Sequence, residues 1–140
     1  MELKNTVNYL FNQVFNAYRI NLEKSLKSIG LHSGQVFVLI SLWSENGQRQ
    51  NDIAKSLNLS SPTVNKMIKS LVDGDFLDIR KDENDGRATR IFLTEKGTEV
   101  RSKVETLWQN LEDDVYSNLT ETEKIVLFQL LEKTLKNLLS

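Results

Sequence analysis

Cysteine is absent from the 140 residues, which removes disulfide frameworks, thiol redox sensing and thiolate metal sites together. Histidine occurs once, at His32, and no His/Asp/Glu cluster stands at ligand spacing, so a structural zinc site has no ligands to draw on. No run of about 18 apolar residues occurs, and no segment is expected to cross a membrane. Met1-Glu2-Leu3-Lys4-Asn5 lacks the basic, apolar and small-residue order of a secretory signal, leaving the cytoplasm as the expected location. There is no Gly-rich phosphate loop, no nucleophile beside a base and an orienting group, and no carboxylate pair marked by its surroundings. Neither an enzyme nor a bound cofactor is therefore expected.

Charge of one sign is also scarce in the sum, which is −1. That counts against a general nucleic-acid binder, because affinity comes mainly from neutralised phosphates. The distribution is more informative. From Gly47 to Val72, Arg49, Lys55, Lys66 and Lys69 stand against Asp52 alone, a net of +3, whereas Glu95 to Ser140 carries six basic and nine acidic residues, a net of −3. A basic patch on an acidic body suits contact with DNA over one limited face.

The chain is organised around Gln48 to Thr94. A short amphipathic helix carrying Ile53, Ala54 and Leu57 is expected to stop at Asn58-Leu59, and a second to start at Ser60-Ser61-Pro62. Asn tolerates the left-handed conformation that ends a helix, Ser60 can accept from an orphan N–H, and Pro62 fits a first turn. Helices joined by so few residues cross steeply. Val64, Ile68 and Leu71 recur as one stripe for burial, which puts Ser61, Thr63, Asn65, Lys66 and Lys69 on other faces. Gly74 closes this helix; Phe76–Lys81 and Ala88–Leu93 read as strands, with the turn-forming Asp82-Glu83-Asn84-Asp85-Gly86-Arg87 between them. The expected fold is mainly α with a small β-hairpin wing, a winged helix-turn-helix whose second helix is sized for the major groove.

Helices flank this unit. From about Lys4 to Ser28 there is no Pro or Gly, and Val7, Leu10, Phe11, Val14, Phe15, Tyr18, Leu22 and Leu26 form one apolar seam on a single long helix. After the break at Ile29-Gly30-Leu31, a helix from about Ser33 to Ser44 carries Val36, Leu39, Ile40 and Trp43 on one side and ends at Glu45-Asn46-Gly47. A further helix runs from Thr94-Glu95 to about Ser117. Thr120 to Glu123 is a capping box that opens the last one, with Ile125, Phe128, Leu131, Leu135 and Leu138. Stripes this extensive exceed what a small core can cover. They imply a two-fold homodimer built from the first and last helices, the alternative being a monomeric bundle. The expected division is 1–30 and 95–140 for dimerisation, with 31–94 between them for DNA.

The most specific residues lie in the wing: Arg80, Asp82, Asp85 and Arg87, followed by Leu93-Thr94-Glu95-Lys96-Gly97. Together with the order of helices over almost the whole chain, they resemble the MarR (multiple antibiotic resistance regulator) transcription factors, whose wings carry Arg-x-Asp-x-x-Asp-x-Arg and then Leu-Thr-x-x-Gly. The resemblance implies that Arg87 enters the minor groove while Asp85 holds it by a charge-assisted pair. Read without it, the hairpin is equally a charged, solvated loop. Ser61, Thr63, Asn65 and Lys66 match the family's recognition helix, with Lys66 and Lys69 meeting phosphates. Arg49, Ser60 and Arg80 complete the candidate DNA-binding set.

Gln35 and Leu39 match a family pattern, Leu-Thr-x-x-Gln, at the start of the second helix, but His32 stands where its capping Thr is expected. Either Ser33 takes over the cap or His32 serves less well; a histidine here could also sense pH or meet an effector carboxylate. The resemblance further implies a repressor of pseudo-palindromic operators, modulated by a small aromatic or anionic effector bound between the dimerisation helices and the reading unit. Phe11, Phe15, Tyr18, Arg19, Val36, Phe37 and Ile40 are the candidates for that site, with Arg19 facing the carboxylate; the plainer reading of the aromatics is core. The rival function is a winged helix that binds only protein. It draws on Asp73 to Thr94, where four basic residues meet six acids, a net of −2.

Overall fold

The computed structural model describes all residues from Met1 to Ser140, which pack as two compact units, Met1–Leu107 and Trp108–Ser140. The first begins with a 3-10 turn, Leu3–Asn5, then α1, Val7–Leu26, and a second 3-10 turn, Lys27–Ile29. The single long helix expected from Lys4 to Ser28 is thus trimmed at both ends. Thr6 adopts an extended conformation and its hydroxyl accepts from the Tyr9 N–H, which starts α1 there rather than at Lys4. Within α1 only Leu22 and Leu26 are buried; Val7, Leu10, Phe11, Val14 and Phe15 stay exposed.

Helix α2, Ser33–Ser44, has the expected bounds but a different buried face. Val36, Val38, Leu39 and Leu42 are buried, while Ile40 is exposed and Trp43 half-buried. The helix is apolar nearly all round, so periodicity alone could not choose its face. Trp43 instead spends its indole N–H on the Gly97 carbonyl at 2.9 Å.

Residue His32 does stand at the N-cap, and Ser33 does not take the cap over. The His32 N–H donates to Gln35 Oε1 at 2.8 Å, and the Ser33 N–H is satisfied from α1, by Glu23 Oε1 at 3.0 Å. Hydrogen bonding from Ser33 holds the Glu23 carboxyl below its ordinary value, with burial opposing and His32 assisting. The imidazole of His32 is 83% exposed and lies 3.7 Å from the other Glu23 oxygen.

A short strand, β1 (Gln48–Arg49), leads into α3 (Gln50–Ser56) and α4 (Ser61–Asp73). Asn58 takes the left-handed conformation between the helices (φ 54), and Ser60 accepts the Thr63 N–H at 3.3 Å. Both residues do what their side-chain chemistry predicts. Val64, Ile68 and Leu71 are fully buried, each burial contributing about 1.5–3 kcal/mol relative to exposure. Gly74 caps α4, but the left-handed residue is Asp75 (φ 69).

Strands β2 (Leu77–Lys81) and β3 (Thr89–Leu93) form the expected hairpin, one residue shorter at the start of each. Not expected was β1, which pairs antiparallel with β3 and makes a three-stranded sheet of order β1-β3-β2. The helix anticipated from Glu95 to Ser117 is likewise divided, into α5 (Glu95–Glu99) and α6 (Arg101–Val115), with a turn at Val100. Gly97 explains the glycine of the wing motif: a Cβ there would collide with the Phe76 carbonyl oxygen, while Thr94 caps the helix through the Gly97 N–H.

The second unit contains the end of α6 and α7, Glu121–Leu139. Its capping box is complete, with Thr120 Oγ1 accepting the Glu123 N–H at 3.2 Å and Glu123 Oε1 accepting the Thr120 N–H at 2.9 Å. No residue of α7 is buried. No helix of the chain is long and apolar enough to cross a membrane.

Candidate nucleic-acid interface

The burial of one stripe of α4 orients the rest of it. Ser61, Thr63, Asn65, Lys66 and Lys69 are all exposed. The hydroxyls of Ser60 and Thr63 lie 2.8 Å apart and are engaged in capping. Ser61, Asn65, Lys66 and Lys69 keep their polar groups turned to solvent, the condition for meeting base edges and phosphates.

In the sheet, Arg80, Arg90 and Arg49 are register partners across β2, β3 and β1. Directly opposed residues share a face, and like charges so placed repel. The row is held by acids and an aromatic ring. Arg80 donates to Asp78 Oδ2 at 3.1 Å and lies 4.4 Å from the centroid of Phe92. Asp82, only 4% exposed, takes the other two arginines: its Oδ2 accepts from Arg49 Nε at 2.9 Å, Arg49 Nη2 at 2.8 Å and Arg90 Nε at 3.1 Å. Its Oδ1 accepts the Asn84 N–H at 3.0 Å. That backbone hydrogen bond, with Arg49 and Arg90 beside it, holds the Asp82 carboxyl below the ordinary aspartate value against the opposing effect of burial.

At the wing tip, Asp85 does not pair with the Arg87 guanidinium as the resemblance implied. Its Oδ1 accepts the Arg87 backbone N–H at 3.0 Å, and its carbonyl accepts the Ala88 N–H at 3.0 Å. In a turn, a short carboxylate closes on the backbone N–H two residues on, whereas on the extended strand β2 the same spacing lets Asp78 reach the Arg80 guanidinium. The turn is fixed and the guanidinium is left exposed. Arg87 and Asp85, with Arg49, Gln50, Asn51, Ala88 and Thr89, line a polar cleft of ≈ 420 Å³ between the start of α3 and the wing. The sequence candidates thus form two groups, the α4 face and this cleft, with Arg80 set apart over Phe92. Arg90 was missed. Its only sequence signal was its position two residues from Phe92 on one strand face; of its two partners across the sheet, Arg80 lies on the anticipated β2 and Arg49 on β1, which was not anticipated.

Of the effector candidates, Phe11 and Phe15 are exposed, Tyr18 is half-buried, and Phe37 and Ile40 are exposed on α2. The Arg19 guanidinium lies 6.0 Å from the Phe15 ring centroid. Val36 is wholly buried and cannot line an open site.

Two helices, α3 and α4, joined by a short turn and followed by a hairpin with an exposed arginine at its tip define the winged helix-turn-helix class. The profile of the MarR family matches residues 31–89. The transcriptional regulator AdcR of Streptococcus pyogenes is 33% identical over 102 residues, 73% of this chain and 69% of that protein. A MarR transcriptional regulator from Methanosarcina mazei superposes with a TM-score of 0.87 at 25% identity, covering 95% of this chain and 96% of that one. A mutant E. coli MarR complexed with operator DNA gives a TM-score of 0.88 at 24% identity, covering 96% and 99%. This chain belongs to the MarR family of transcriptional regulators. It is accordingly a DNA-binding winged-helix protein and not an enzyme.

Proposed function

We propose that the protein acts as a homodimeric, sequence-specific repressor of pseudo-palindromic operators. The observation that carries this reading is the exposed face of α4, on which Ser61, Asn65, Lys66 and Lys69 are left without side-chain partners, beside a wing whose tip arginine is free of intramolecular ion pairs. Ser61 and Asn65 are assigned to base edges, Lys66 and Lys69 to phosphates, and Arg87 to the minor groove, with Arg49 on the cleft wall. Two copies are needed because one recognition helix reads only a half-site. A two-fold pair presents two of them about one helical turn apart. Dimerisation falls to the uncovered seams of α1 and α7, and repression follows where the occupied operator overlaps a promoter.

The net negative charge of the wing region, which favoured a protein-only partner, has an internal account. Asp78 and Asp82 are spent on arginines and Asp85 on a backbone N–H. The reading extends to a small aromatic anion at the α1–α2 junction, with Arg19 beside Phe15, Tyr18, Phe37 and Ile40. Such a ligand acts only through different affinities for two spacings of the recognition helices.

The test titrates the protein against a labelled duplex from upstream of its own gene, or from a random-sequence selection, at several salt concentrations. Saturable binding that weakens steeply with salt is expected, with Arg87→Ala about 5- to 150-fold weaker. Failure to bind any selected duplex leaves the protein-interaction reading in its place.

A further inference from the structure

We infer that Asp82 is the positioning residue of this interface, so that a negative charge beside the wing strengthens DNA binding instead of opposing it. The inference rests on the DNA-binding reading above and concerns how that interface is assembled.

A carboxylate near a phosphate-binding surface ordinarily costs affinity through repulsion. Asp82 stands differently, because it is buried and because its two oxygens join separate segments. Oδ1 holds the wing tip through the Asn84 N–H; Oδ2 holds Arg49 of β1 and Arg90 of β3. Strand β1 has only two residues paired with β3, too few to be kept in place by ladder bonds alone. The fork from Arg49 to Asp82 staples it, and Arg90 adds a bond from Nη1 to the Gly47 carbonyl at 2.8 Å, just before β1 begins. Without the carboxylate, Arg49 and Arg90 would face each other as directly opposed like charges.

The hub still presents positive charge. Two guanidiniums share one carboxylate, and their side chains remain 41% and 39% exposed while Asp82 is withdrawn beneath them. Arg49 lines the cleft that Arg87 closes from the wing side. The position of the Arg49 guanidinium therefore sets one wall of that cleft, and the Asn84 anchor sets where the tip carrying the other wall stands.

Charge accounting and positioning predict opposite signs for Asp82→Asn, which keeps the shape and removes the charge. With an operator duplex, fluorescence anisotropy across a salt series should show D82N binding about tenfold weaker although the protein has gained a unit of positive charge. Its log–log salt slope should be shallower by about one, because a displaced arginine no longer neutralises its phosphate. A second variant, Arg49→Lys, holds the charge constant but lacks the planar fork, and should also lose affinity several-fold; it keeps the Arg90 pair if D82N proves poorly folded by circular dichroism.

Binding by D82N as tight as wild type or tighter overturns the inference. So does a loss of affinity with an unchanged salt slope, or an R49K variant that binds like the parent. If wild type itself shows no salt-dependent binding, the DNA-binding reading fails as well, which is distinguishable from a failure confined to the variants.

Discussion

Helices α4 and α7 carry apolar stripes of the same spacing and meet opposite ends. In α4, Val64, Ile68 and Leu71 are wholly buried beneath a polar face. In α7, Ile125, Leu131, Leu135 and Leu138 stay exposed in the single chain, and Phe128 is 65% exposed. Periodicity thus marks a face that requires cover without saying whether the cover comes from the same chain. The first helix contains both outcomes: Leu22 and Leu26 are buried, while Val7 to Phe15 remain uncovered. Stability of the reading unit should be intramolecular, and that of α7 should depend on protein concentration.

The sharpest way to break this contrast is to damage each stripe in turn. Ile68→Ala in α4 is expected to cost about 2–5 kcal/mol in urea denaturation, equally at low and high protein concentration. A cost below about 1 kcal/mol would show that the reading unit is not the rigid half. Leu131→Asp in α7 should leave the reading unit folded and weaken self-association by about 2 kcal/mol or more, roughly 30-fold. Size-exclusion chromatography with light scattering reads it directly. Wild type near 16.1 kDa would remove the dimer from the account.

Smaller effects refine the comparison. Thr120→Ala deletes one half of the capping box at the start of α7 and should lower stability by about 0.5–2 kcal/mol by calorimetry. Loss of that increment only at concentrations where the protein is dimeric would tie the order of α7 to association. The last prediction concerns acid. The Asp82 carboxyl is held below its ordinary value in the folded chain, so its stabilisation of the wing is complete above that value and disappears as pH falls through the lower, folded one. The Asn84 amide resonance should therefore be steady from pH 8 to about 5 and move only below about pH 4. Movement near neutrality would point to a different group.

Much of the fold was legible because it rests on local chemistry. The left-handed Asn58, the Ser60 cap, the α4 stripe and the Thr120–Glu123 box each involve residues close to one another in the chain, and the hairpin joins two neighbouring strands through one turn-forming segment. Where local rules compete, the folded chain departs from its apolar periodicity: Thr6 caps α1 later than the seam suggests, and Val100 interrupts a helix that its neighbours favour. The uniformly apolar α2 gave no periodic signal for choosing between Ile40 and Val38.

The interface divides along the same line. The exposed residues of α4 follow from the periodicity of Val64, Ile68 and Leu71, because burying one side of a helix exposes the other. Which carboxylate serves which arginine does not follow. Asp82, rather than Asp85, anchors the arginines because β1 pairs with β3 and brings Arg49 opposite Arg90, residues 41 positions apart in the chain. Spacing along the sequence determined where helices begin, which faces are polar and which family motif the wing carries. Only the folded sheet decided the ion-pair partners, since charge attraction depends on distance in space and the pairing of β1 with β3 joins segments that no hairpin turn connects.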